Sequence, residues 1–109
     1  MDNGIYEVNF RASTQDFGSG LIVIKDGSVN GGDAHFLYRG TLTGTDAGVT
    51  ASISVEQWKA GNRSVVGITN YKVEFKGTIA NGQLKLSGNV TDHPQLALTV
   101  TGRKVAEAA

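Results

Sequence analysis

Cysteine is absent from the 109-residue chain, which excludes a disulfide framework, a thiolate metal site and a thiol nucleophile. That suits a reducing compartment, and the cytoplasm is the expected location. An excess of one charge sign is missing too. Ten Lys and Arg stand against ten Asp and Glu, so no long-range field draws in a phosphate backbone or an anionic bilayer, and neither nucleic acid nor membrane is an expected partner. The longest apolar run, Leu21-Ile22-Val23-Ile24, falls far short of the ~20 residues of a spanning helix. Met1-Asp2-Asn3-Gly4 opens the chain with no basic stretch before an apolar block, so no export signal is expected. The glycosylation-like triplets Asn62-Arg63-Ser64 and Asn89-Val90-Thr91 then read as ordinary loop and strand residues.

A single proline and no sustained helical periodicity leave strands and tight turns to account for the chain, and fifteen glycines spread along its length fit many reversals. One domain is expected over residues 1–109, with a barrel at about 3–103 and a short tail at 104–109, because the length supports one core and not two. The dominant signal has period two. Tyr6, Val8 and Phe10 alternate with Glu7, Asn9 and Arg11, as in a strand with one buried face. A second strand, about Gly18 to Lys25, ends at the hairpin pair Asp26-Gly27, a third is possible near Val29, and Asn30-Gly31-Gly32-Asp33 reads as the next reversal.

Phe36, Tyr38 and Leu42 share a face with Gly40, opposite His35, Leu37, Arg39 and Thr41. Val49, Ala51, Ile53 and Val55 alternate with Thr50, Ser52 and Ser54. Tyr71, Val73, Phe75 and Ile79 lead to the hairpin signal Asn81-Gly82, and Leu84, Leu86 and Val90 follow. Pro94 closes a turn before a last strand of Leu96, Leu98 and Val100. Sequential hairpins make a meander, and about eight strands close on themselves to remove exposed edges. The expected fold is therefore all-β, a single antiparallel up-and-down barrel of lipocalin or calycin type; a two-sheet sandwich is the alternative. Gly40, Gly77 and Gly88 fall on the apolar face in mid-strand, where a missing side chain permits a sharp bend or leaves space inside.

Motifs for catalysis are lacking. His35 and His93, the only histidines, have no metal-ligand spacing and read as structural, and Gly18-Ser19-Gly20 resembles only the start of a dinucleotide fingerprint. No enzyme activity, metal or cofactor is expected. Two features point to binding instead. Inward aromatics (Tyr6, Phe10, Phe36, Tyr38, Tyr71 and Phe75) either fill the barrel or line a cavity for an apolar small molecule. Buried tyrosine hydroxyls need partners, which implies an internal polar network or open barrel ends. The longest connection, Glu56 to Thr69, carries Trp58, Val65, Val66 and Ile68, an apolar set suited to a lid, a protein interface or a portal.

The ordered elements Asn3-Gly4-Ile5-Tyr6, Gly18 to Gly27, Gly31-Gly32-Asp33, Tyr38-Arg39-Gly40-Thr41-Leu42, Ser64-Val65-Val66 and Tyr71-Lys72-Val73 resemble the GrlR family of bacterial regulators. The likeness is clearest from Asn3 to about Phe75. It implies a lipocalin-like barrel that forms a homodimer, has no enzymatic activity, and negatively regulates type III secretion genes by holding a helix-turn-helix activator away from DNA. In the best-known member of that family an acidic run in the turn after the Gly-x-Leu strand is implicated in gripping the activator. The matching stretch here, Thr43-Gly44-Thr45-Asp46-Ala47, has one acid, so only Asp46 carries over.

Overall fold

The computed structural model describes residues 3–13, 17–45, 48–60 and 70–109. Eight strands follow one another: β1 (Gly4–Ala12), β2 (Phe17–Lys25), β3 (Ser28–Gly32), β4 (Phe36–Thr45), β5 (Gly48–Gln57), β6 (Asn70–Ala80), β7 (Gln83–Val90) and β8 (His93–Ala106). Each pairs antiparallel with the next, and β1 pairs with β8 to close the barrel. The alternation in the sequence is reproduced as burial. Tyr6, Val8, Phe36, Tyr38, Leu42, Val73 and Phe75 point inward, while Thr41, Ser52, Lys72, Glu74, Lys76 and Lys85 lie on the outside. A membrane-spanning barrel carries the reverse polarity, with an apolar outer band. No helix among the described residues is long and apolar enough to cross a membrane.

Two hairpins form as their sequences dictate. Asp26 and Gly27 both take positive φ, 51° and 84°, as do Asn81 and Gly82 at 56° and 73°. Two successive left-handed residues make the primed turn whose twist matches the flanking strands. Two other reversals differ from the sequence reading in detail. Asn30, Gly31 and Gly32 belong to β3, pairing with Arg39, Tyr38 and Leu37, so the chain turns only over Asp33 to His35. Pro94 lies inside β8, not in a turn ahead of it. Val90 pairs with His93 and Asn89 with Ala97, so β8 bulges over Pro94 to Leu96, and the Asn89 side-chain amide donates to the Pro94 carbonyl at 2.7 Å. A proline, having no N–H to give, is tolerated at such a bulge. At its other end β8 runs three residues past the expected barrel limit, because Ala106 pairs with Ile5.

The mid-strand glycines make corners. A Cβ on Gly77 would lie 1.8 Å from the Lys85 carbonyl oxygen, and one on Gly40 would lie 1.9 Å from that of Ser52. Neighbouring backbone occupies the place of the side chain, so these glycines let strands coil sharply and do not create interior space.

Up-and-down connectivity sorts the connections by end. The turns between β2 and β3, β4 and β5, and β6 and β7 share one end with both chain termini. The connections between β1 and β2, β3 and β4, β5 and β6, and β7 and β8 share the other. The first end is plugged by Tyr6, Ile24, Val49 and Ile79, each at most 1 % exposed. Reciprocal hydrogen bonds tie it externally: the Asn3 amide donates to the Asp26 carboxylate at 3.2 Å, and the Asp26 N–H donates to Asn3 Oδ1 at 3.1 Å.

Candidate functional site at the open end of the barrel

An eight-stranded barrel is just wide enough either to fill with side chains or to hold one small ligand. Here the plugged end is filled and the other is not. A cavity of about 360 Å³ descends from the open end, lined by Phe10, Phe36, Tyr38, Tyr71 and Phe75 together with aliphatic residues of all eight strands. Sealed and empty, that volume at ~24 cal/mol per Å³ would cost about 9 kcal/mol, comparable to the whole stability of a small domain. The open mouth admits water and lowers that cost.

Of the six inward aromatics, five therefore line the cavity. Tyr6 does not: it is fully buried in the plug. Phe10 is only partly buried and meets Tyr38 edge-on, with ring centroids 5.1 Å apart at 70°, a favoured aromatic arrangement.

Asp33 organises the mouth. Its Oδ1 accepts from the N–H groups of His35 and Phe36 at 2.9 and 2.8 Å, its Oδ2 accepts from the Tyr38 hydroxyl, and its own N–H donates to the Phe36 carbonyl at 3.0 Å. An aspartate that accepts from N–H groups two and three residues on builds the turn with its side chain. Its carbonyl oxygen takes the indole N–H of Trp58 at 3.1 Å, which binds the start of the β5–β6 connection to the β3–β4 turn. The Trp58 N–H donates to the His35 carbonyl at 2.8 Å. Burial first, then the hydrogen bond and charge of Asp33, then Tyr71, push the Tyr38 phenol far above the ordinary tyrosine range. Tyr38 therefore stays a protonated donor. Asn30 to Asp33 reads in sequence as one glycine-rich turn, which hides Asp33 as a site residue. The usable signal was an aspartate immediately before an alternating strand.

Trp58 sits at the rim of this mouth, 53 % exposed. Val65, Val66 and Ile68 lie outside the described residues, as does Asp46. Thr45 and Gly48 bound the Asp46 connection at the plugged end, whereas Gln57 and Asn70 bound the long connection at the open end. His35 stands on the rim of the mouth and His93 opens β8. Among the described residues no three His, Asp or Glu side chains gather closely enough to hold a metal ion.

Comparison with curated proteins returns no match. Comparison with family profiles returns one that spans residues 1–108 and is described as the type III secretion system negative regulator GrlR. With a whole-chain match and a closed eight-stranded barrel, the chain belongs to the GrlR family of type III secretion negative regulators.

Proposed function

We propose that the chain is a non-enzymatic binding protein that represses type III secretion genes by holding a helix-turn-helix activator protein, without touching DNA itself. The family match over residues 1–108 carries this reading. Balanced charge supports the part about DNA, since phosphate contacts require a basic surface. The contact surface in this reading is the rim of the open end, where Trp58 is exposed and Val65, Val66 and Ile68 follow in the same connection; a tryptophan with apolar neighbours is the usual composition of an interface anchor. The same rim would join two copies as a homodimer in the cytoplasm. Asp46 would serve a separate and weaker contact.

The test is a reporter driven by a type III secretion promoter, with its activator and this chain co-expressed. Wild-type chain lowers the reporter signal, and Val66→Asp restores it while the thermal melt is retained. An undiminished signal beside folded wild-type chain would overturn the reading. Sedimentation velocity on both proteins reports the dimer.

The cavity favours a second, compatible role as carrier or sensor of a small apolar molecule. Its volume of about 360 Å³ falls within the roughly 300–1,000 Å³ of ligand pockets. Native mass spectrometry of gently purified protein tests it through the mass of any adduct.

A further inference from the structure

Two polar groups at the cavity mouth, Asp33 and Tyr38, have their donors committed and acceptors to spare. Tyr38 gives its hydroxyl hydrogen to Asp33, which leaves the lone pairs of the phenolic oxygen free to accept. The Asp33 carboxylate takes three hydrogen bonds, two on Oδ1 and one on Oδ2, of the roughly four it can accept. Below this pair the walls are apolar, with Ile22, Leu42, Ile53 and Leu86 among them. No lysine or arginine stands among the described lining residues, and Asp33 is their only carboxylate. A fatty-acid carboxylate seated on this pair would lose its hydration, meet no lysine or arginine and face a like charge.

We infer that the barrel binds an amphipathic molecule whose apolar body fills the cavity and whose hydrogen-bond-donating head, hydroxyl or ammonium, seats on Asp33 and Tyr38. This rests on the cavity being a ligand site, the second of the two roles above. The body is small. At the ~30 Å³ a water takes in the liquid, about 360 Å³ holds roughly a dozen methylene-sized groups. Decanol and decylammonium are therefore suitable probes, with decanoate as the matched acid.

Trp58 supplies the reporter, because it is the only tryptophan and its indole N–H bonds to the Asp33 carbonyl oxygen. Titration of the full chain with decanol, decylammonium and decanoate, followed by Trp58 emission and calorimetry, tests the inference. Decylammonium and decanol bind, and decanoate binds about tenfold more weakly or worse. Asp33→Asn narrows the gap between decylammonium and decanoate, while Tyr38→Phe weakens decanol. Wild-type protein alone decides the outcome should either variant fail to fold. Equal binding of all three probes would overturn the donor-head assignment and leave the cavity as a ligand site. Binding of none would overturn both. Preference for decylammonium over decanol marks the head as cationic, and parity marks it as hydroxyl; either supports the inference.

Discussion

Tyr38 donates its hydroxyl hydrogen to the carboxylate of Asp33, five residues earlier, so the turn between β3 and β4 is anchored to the wall of the cavity it overhangs. Asp33→Ala removes this bond and the two backbone bonds to Oδ1, and leaves a buried phenol without its acceptor. The expected loss is about 2–4 kcal/mol in urea denaturation, with Asp33→Asn nearer 1 kcal/mol because Oδ1 survives. A loss for the alanine variant no larger than for asparagine would show that the turn holds itself.

Alkaline pH should act through the same pair. Burial, the Asp33 bond and charge, and Tyr71 raise the Tyr38 phenol in the folded chain. The unfolded chain releases that proton near pH 10 while the folded chain keeps it. The stabilisation is therefore complete below about pH 10 and declines as pH rises beyond it. Thermal melts across this range should fall for wild type and fall less for Tyr38→Phe.

Two glycine variants separate a corner from a turn. Gly77→Ala sets a methyl group against the Lys85 carbonyl, whereas Gly48→Ala meets nothing within 4 Å. The first should cost roughly 1–3 kcal/mol or more, as overpacking does. The second should be neutral or stabilise by up to about 1 kcal/mol, through a less flexible unfolded chain. Chemical denaturation of both variants measures the contrast.

The two ends of the barrel should respond differently to truncation. Ile79→Ala opens a void in the plug, where the side chain is fully buried, with an expected cost of about 2–5 kcal/mol. Leu98→Ala merely enlarges a cavity already open to solvent, so its cost should lie near the lower end of that range. Similar melting temperatures for the two variants would argue that the cavity is closed in solution.

The strand ends that bound the two candidate contact elements lie at opposite ends of the barrel, which bears on partner binding. In the proposed activator complex, Trp58→Ala and Asp46→Asn should have additive effects on affinity, because the strand ends beside them lie at opposite ends of the barrel and distant sites do not couple. Titration calorimetry on the single and double variants would show it. Coupling beyond about 0.5 kcal/mol would place both on one interface.

The sequence by itself determined the fold class, the inward and outward faces, and the hairpins at Asp26-Gly27 and Asn81-Gly82. These are local consequences of period-two polarity and of Asp-Gly and Asn-Gly dipeptides that accept positive φ, and the observed φ values at Asp26, Gly27, Asn81 and Gly82 agree. Alternation says which side chains point inward. It cannot say how far along the axis they stand, and only the stagger of the closed barrel put Tyr6 in the plug while Tyr38 and Tyr71 reached the cavity. The role of Asp33 depended on Tyr38 and Trp58, the latter 25 residues away, converging on one turn. The separation of Trp58 from the strand ends at Thr45 and Gly48 followed from counting strands around a closed sheet. Polarity and turn chemistry act between neighbours in the chain; depth, convergence and separation exist only once β8 has closed on β1.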